Sequence, residues 1–335
     1  MSKFFVCPAA SGTELNLFDG ATGEIVSTKT MPFSASSGAL FDMSYDGTIA
    51  AVTFYLQGYV WFWNQATGQT SQIQAGTYVG AGHGFDGEGT FYLGASEQYL
   101  KVVAPYTAGS FVAAPGVGAI YPGQLPERAL CLSGGGLARM DLTTGAVGTV
   151  IGEGEEIGPA VADTSGSYAI SCIDYRYGAK IRNYDTGVTV AQIGPTSGAS
   201  AADIRGMPYF TSDGSGYVLK ISEGALGLGL LGATSVRPIP LDAVIDYAAD
   251  LAYVYLEGLL DDNTVLLSSV AIRNMLVAFD LTTQQIVWQN SNGRNVSQSG
   301  SDAKGCGVQP TFGPGGNPPE PAGFWKELLL AYEAA

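Results

Sequence analysis

An all-β fold made of repeated small antiparallel sheets is what this sequence predicts, and three observations predict it. The composition favours pleats and tight turns: 47 Gly, 18 Tyr and 14 Phe among 335 residues, 46% hydrophobic residues and only 13% charged. Glycine takes the positive-φ positions of tight turns, and aromatic side chains fill pleated surfaces. A short apolar run followed by Asp or Asn and a Thr/Gly turn recurs along the chain. Between its copies lie Asp-Gly and Ser-Gly hairpin signals.

The recurring segment reads LFDGATGEIV at 17–26, FWNQATGQTS at 62–71, RMDLTTGAVG at 139–148, NYDTGVTV at 183–190 and AFDLTTQQIV at 278–287. Its anchors are Asp19, Asn64, Asp141, Asp185 and Asp280, the fourth copy being one or two turn residues shorter. They are separated by 45, 77, 44 and 95 residues. Each long gap has room for one degenerate copy: KVVAPYTAGSFV at 101–112 and LKISEGALGL at 219–228. That makes seven units near the period of about 40–50 residues of a four-stranded blade. The hairpin signals are MSYDGTIAAVTF at 43–54, GFDGEGTFYLG at 84–94, VADTSGSYAISCI at 161–173 and FTSDGSGYVLKI at 210–221. Small sheets that cannot bury both faces alone bury them by packing around an axis. The predicted architecture is a seven-bladed β-propeller of four-stranded antiparallel blades over residues 1–290.

Two irregularities stand out. The first unit opens with two strands, 3–7 and 14–18, and lacks an innermost strand, which the stretch 293–312 could supply. Residues 236–270 hold more strand-like sequence than one blade needs. An inserted hairpin or extended strands are the expected explanation, with an eighth blade the competing one.

The units resemble blades of WD40-like and YVTN-type propellers, including the quinoprotein-like group, with LFD, FWN, RMD, NYD and AFD where the third strand of such a blade ends. One Gly-His (Gly82-His83) and no Trp-Asp set the chain apart from true WD40 blades. AFDLTTQQIVW at 278–288 resembles the tryptophan-docking motif of quinoprotein dehydrogenases. Only this copy carries the Trp, and Gln284 replaces the turn glycine, so no quinone cofactor is expected. Low charge, abundant Gly, Ala, Thr, Ser and Tyr, and a projecting tail resemble bacteriophage virion components, tail-associated propellers among them. That resemblance implies a virion protein assembled in the host cytoplasm.

The tail begins with a Gly/Ser/Pro-rich connector, 291–319, ending GPGGNPPEP. Residues 320–335 predict a short amphipathic helix. Pro321 suits its start, Phe324, Leu328 and Tyr332 recur at i, i+4 and i+8, and Trp325 and Leu329 widen that face. A helix this short is marginal alone and needs a surface. These five side chains are therefore the expected partner-binding residues, docking on another subunit of an assembly; docking on the chain's own propeller is the alternative.

A net charge of −15 argues against nucleic acid or an anionic membrane as partner. No secretory h-region or membrane-length apolar run is present. Cys7, Cys131, Cys172 and Cys306 are dispersed without a CxxC, which reads as free, mostly buried thiols in a reducing compartment. The Asn295-Val296-Ser297 sequon then carries no meaning.

No catalytic, cofactor-binding or metal-binding residue is assigned. His83 is the only histidine, and it is expected to be a turn residue satisfied locally. Gly227, Gly229 and Gly232 match G-x-G-x-x-G, but ATSVRPIP follows and cannot open a helix, so strand and turn are expected. Asp261-Asp262-Asn263 lacks the later ligands of a calcium loop and reads as a hairpin turn. The expected function is a non-enzymatic binding and assembly module. The alternatives are a hydrolase, lyase or lactonase with a carboxylate metal site, or a small-ligand sensor.

Overall fold

The computed structural model describes residues 3–6, 12–34, 39–76, 79–95, 97–123, 125–151, 157–162, 168–173, 179–183, 186–193, 208–211, 214–222, 224–231, 236–245, 254–269, 275–290 and 306–308. Their strands form seven antiparallel sheets, six of four strands and one of three. The first contains β1 (Lys3–Val6), β2 (Glu14–Asp19) and β3 (Ile25–Thr30). The second runs β4 (Ala39–Met43), β5 (Ile49–Phe54), β6 (Tyr59–Asn64), β7 (Thr70–Gln74), and the third β8 (Val79–Phe85), β9 (Phe91–Ala95), β10 (Gln98–Val102), β11 (Gly109–Ala113). The three-stranded fourth is β12 (Val117–Pro122), β13 (Arg128–Ser133), β14 (Gly136–Asp141). The fifth is β15 (Ile157–Ala162), β16 (Tyr168–Ile173), β17 (Ala179–Asn183), β18 (Thr189–Ile193). The sixth is β19 (Tyr209–Phe210), β20 (Gly216–Ser222), β21 (Ala225–Leu230), β22 (Arg237–Pro240), and the seventh β23 (Val254–Asp261), β24 (Thr264–Ser269), β25 (Met275–Asp280), β26 (Gln285–Asn290). β27 (Cys306–Val308) completes the first sheet by pairing antiparallel with β1, Phe5 opposite Gly307.

These sheets are blades of an all-β propeller. The first strands adjoin one another in order, β23 beside β27, then β4, β8, β12 and β15. Every pair of consecutive sheets, the last and first included, shares an apolar core. Leu15 and Leu17 pack with Phe41 and Val52; Phe62 with Phe91; Tyr99 with Cys131; Leu137 with Ala169; Ile181 with Tyr217; Leu228 with Val265; and Leu266 with Phe4 and Phe18. Strands near the axis are buried on both faces, as in β5, where all six residues are buried. They therefore read as continuous apolar runs rather than alternating ones. The fourth strands form the outer rim and alternate towards solvent, as in β3 and β26.

The repeat is a turn between third and fourth strands. In the first copy Asp19 Oδ1 accepts from the backbone N–H groups of Ala21 and Thr22, at 2.8 and 3.1 Å, and the Gly23 N–H donates to the Asp19 carbonyl. Asn64, Asp141 and Asp280 repeat this arrangement. In the fourth copy the anchor is Asn183 rather than Asp185: Asn183 Oδ1 accepts from Thr186 N–H at 3.0 Å, and Gly187 N–H donates to the Asn183 carbonyl. Counted from Asn183 the turn has the common length, [Asp/Asn]-x-x-Thr-[Gly/Gln]. The apparent shortening came from choosing the wrong acid-like residue.

Two further expectations need correcting. Residues 219–228 are the hairpin between β20 and β21, second to third strand, and not a copy of the anchor turn. The extra strand-like sequence at 236–270 is shared between sheets: β22 closes the sixth, a helical turn at Asp242–Ile245 follows, and β23 and β24 open the seventh. Neither an inserted hairpin nor an eighth sheet is found among the described residues. In the three-stranded fourth sheet, residues 146–151 run beside β14 as a broken fourth strand, held by Asp141–Ala146, Arg139–Gly148 and Leu137–Ile151 backbone bonds with one extra residue between the last two.

Candidate functional site

In the second, fourth and seventh sheets the hairpin between first and second strands and the anchor turn lie at the same end. Gln65, Leu142 and Leu281, each next to an anchor, donate backbone N–H bonds to Thr48, Glu127 and Asn263 of the neighbouring hairpins. That end holds the chain's most organised polar groups. Asp86 Oδ1 accepts from the N–H of Glu88 and Thr90, and its Oδ2 accepts from Tyr92 Oη–H at 3.2 Å. Burial holds its carboxyl above the ordinary value, against those hydrogen bonds. Burial, with the nearby Asp46 and Asp86 charges, pushes the Tyr106 phenol up to about 12, and its hydroxyl donates to the Gly89 carbonyl at 2.6 Å.

Just inside this end, the inner strands of the second and third sheets bring His83 and Asp42 together. The Nδ1–H of His83 on β8 donates to Asp42 Oδ2 on β4, and the two side chains are only 4% and 10% exposed. His83 is thus a strand residue bonded 41 positions away, not a turn histidine satisfied locally. The pattern around it obscured this. Gly82 is glycine because a Cβ there would fall 2.0 Å from the Ile120 carbonyl oxygen of β12, whereas Gly84 is glycine for its backbone, at φ 151°, with nothing nearer than 3.7 Å to a Cβ. An aspartate on Nδ1 fixes an imidazole's orientation and tautomer, the device that general-base histidines use. The same bond also ties two blades together.

A comparable knot joins the sixth and seventh sheets. Tyr209 Oη–H donates to the Glu257 carbonyl at 2.6 Å, Ser268 Oγ–H donates to Glu257 Oε1, and Lys220 Nζ donates to the Val254 carbonyl while lying 5.9 Å from the Tyr255 ring. Lys220, Glu257 and Ser268 are buried. Among the described residues no group of three or more His, Cys, Asp or Glu is placed to hold a metal ion. No helix among them is long and apolar enough to cross a membrane.

The exposed surface is different in kind. Large apolar side chains exposed to water collect on the rim: Ile25 and Val26 on β3, Phe111 on β11, Val287 on β26, and Val188 just before β18; Leu56 and Val103 sit in turns. Sequence reasoning missed all of these, because alternation within an outer strand looks like the alternation of any half-buried strand.

Phe324, Trp325, Leu328, Leu329 and Tyr332 lie outside the described residues, as does Asp185. Gly227 and Gly229 fall in β21, and Gly229 is packed against the Tyr217 ring, so the G-x-G element is strand. Asp261 opens a tight hairpin opposite Thr264, its Oδ1 accepting from Asn263 N–H at 2.9 Å. Cys131 is a free thiol, pushed up to about 12 by burial.

Fold and site together define a β-propeller whose inner polar groups knit blades and whose rim exposes apolar side chains. No family model matches the chain, and no curated protein matches it. Solved structures resemble it over most of its length. The dihydro-heme d1 dehydrogenase NirN, in complex with DHE, aligns with a TM-score of 0.60 at 15% identity, covering 87% of this chain and 63% of that one. Kluyveromyces lactis Hsv2, with loop 6CD replaced by a Gly-Ser linker, aligns at 0.62 and 11% identity over 87% and 95% of the two chains. Kuenenia stuttgartiensis hydrazine synthase aligns at 0.59 and 12% identity over 82% and 91%. At these identities the likeness is one of fold.

Proposed function

We propose that this chain is a seven-bladed β-propeller, one blade per sheet, acting as a non-enzymatic binding and assembly module. The observation that carries this reading is the division of its side chains. Of the groups that chemistry would need, His83, Asp42 and Lys220 are engaged in contacts between blades and the Glu257 carboxylate is bonded to Ser268 of its own sheet, whereas the large apolar side chains left exposed lie on the rim and turns. Within that class, a virion component is the reading that the composition supports, and composition alone supports it. Phe324, Trp325, Leu328, Leu329 and Tyr332 would dock on a neighbouring subunit. The test is oligomeric state and partner capture with and without residues 318–335, alongside Trp325→Ala and Leu329→Ala. Weakened assembly with nearly unchanged melting is the expected result. Normal assembly with a large fall in melting temperature would overturn it and place the tail in the propeller core.

A second reading, an enzyme on the same scaffold, is favoured by one observation, the buried His83–Asp42 pair. A panel of ester and lactone substrates decides between them. Turnover by the wild type that is abolished in a folded His83→Gln variant would establish the enzyme.

A further inference from the structure

We propose that the outer edge of β11 accepts an extended segment of another protein as a fifth, antiparallel strand, and that this segment carries basic residues. An exposed strand edge is a template for pairing, and folded proteins usually protect it with a bulge, a proline or a charge. Most outer strands here are protected in one of these ways. β3, β18 and β26 each carry an extra residue in register, opposite Leu17/Phe18, Ile181/Arg182 and Ala278/Phe279, and Lys29 adds a charge to β3. The strand beside β14 is broken. β22 contains Pro238 and Pro240.

Two outer strands have none of these devices. β7, TSQIQ, presents polar side chains. β11, GSFVA, is uncharged and pairs with β10 in unbroken register from Gln98–Ala113 to Val102–Gly109. It exposes 47% of Phe111, and Val103, in the turn that leads into it, is 50% exposed. This hairpin thus combines a regular edge, unpaired among the described residues, with two exposed apolar side chains, the arrangement that strand addition uses.

Charge selects the occupant. A second copy of a chain carrying −15 is repelled. The Ala113 end of the edge is acidic: Ala114 N–H donates to the carbonyl of the exposed Glu97, and the Asp141–Gly145 turn abuts the Ala113 carbonyl, where a Cβ on Gly145 would fall 2.3 Å from that oxygen. The Gly109 end is acidic as well: Tyr106, three residues before it, lies near Asp46 and Asp86 and donates to the carbonyl of Gly89, next to the exposed Glu88. Carboxylates at both ends attract an extended segment with basic flanks.

The experiment titrates the full chain with three terminally blocked, fluorescein-labelled peptides, KKTVTVT, TVTVTKK and EETVTVT, read by anisotropy at low salt. KKTVTVT and TVTVTKK are each expected to bind about fivefold tighter than EETVTVT, with the margin shrinking as salt rises. Phe111→Lys, checked for unchanged melting, is expected to abolish binding, while Gln72→Lys on β7, an exposed position, leaves it intact. Failure of all three peptides to bind, equal affinity for KKTVTVT and EETVTVT, or binding that survives in Phe111→Lys would each overturn the proposal. So would sedimentation showing a wild-type dimer that Phe111→Lys dissolves, since a second copy would then occupy the edge. The readout is peptide binding at β11, whereas that of the tail deletion is assembly, so the two outcomes are distinguishable.

Discussion

The indole N–H of Trp288 donates to the carbonyl of Gly20, 2.9 Å away, across the seam between the seventh and first sheets. The same ring stacks on Phe4 at a centroid distance of 5.7 Å and covers Gly23, while Asn290 Nδ2 donates to the Gly23 carbonyl at 3.0 Å. An outer strand thus reads the anchor turn of the next sheet. The pattern recurs where Lys29 Nζ of β3 donates to the Gly68 carbonyl; in the third sheet it is the third strand, β10, whose Tyr99 Oη–H donates to the Leu142 carbonyl.

This seam predicts a difference between two otherwise similar glycines. Gly23 and Gly68 have φ of 70° and 72°, but only Gly23 has a ring against it, 2.5 Å from where a Cβ would stand. Gly68→Ala should cost only the left-handed backbone term, about 1–2 kcal/mol. Gly23→Ala should cost more by denaturant titration, and should fall to the Gly68→Ala value in a Trp288→Ala background.

Gln284 occupies the turn position that glycine holds in the other anchor turns, at φ 56°. Gln284→Gly is expected to stabilise the protein by about 0.5–1 kcal/mol, because it relieves left-handed strain without loss of the Gln284 N–H bond to Asp280. Thermal melting checks this.

Asp42 and His83 should be energetically coupled. In a double-mutant cycle with Asp42→Asn and His83→Gln, contacting buried partners give a coupling of about 0.5–3 kcal/mol. Additive effects would mean the bond contributes nothing to holding the second and third sheets together.

Asp86 gives a signed pH dependence. Burial raises its folded-state value above the 3.8 of the unfolded chain, so the folded state binds the proton more tightly. Its contribution is most favourable below 3.8 and is lost as pH rises through the raised value. Asp46 acts oppositely: burial would raise it, but hydrogen bonds from Ser44 and Thr48 outweigh that and hold it low. Its stabilisation is present above 3.8 and is lost as pH falls through the lowered value. Stability measured against pH in Asp86→Asn should lack the decline just above 3.8, and Asp46→Asn should lack the acid-side loss.

The fold was legible because the anchor turn is local. Asp19, Thr22 and Gly23 make their bonds within five residues, so the same letters recur wherever the turn does. The fourth copy misled because NYD offers two acceptors, and only the geometry shows Asn183 filling the place. The inner polar contacts were not legible. Asp42 and His83 lie on different sheets, and nothing local in FDM or GHG records that their strands meet. The open edge of β11 was hidden for a related reason: its significance lies in the bulges and prolines that its counterparts carry, which appear only when the strands are set side by side.

The pairing of β27 with β1 reverses the order in which the chain is made and the order in which it can be finished. Residues 3–6 leave the ribosome before the rest of their sheet, which gains its axial strand only when residues 306–308 follow some three hundred positions later, Val6 meeting Cys306. During synthesis the growing arc must keep an unmated lip at its leading sheet, and a nascent chain stalled before that point would expose it to chaperones and to other chains.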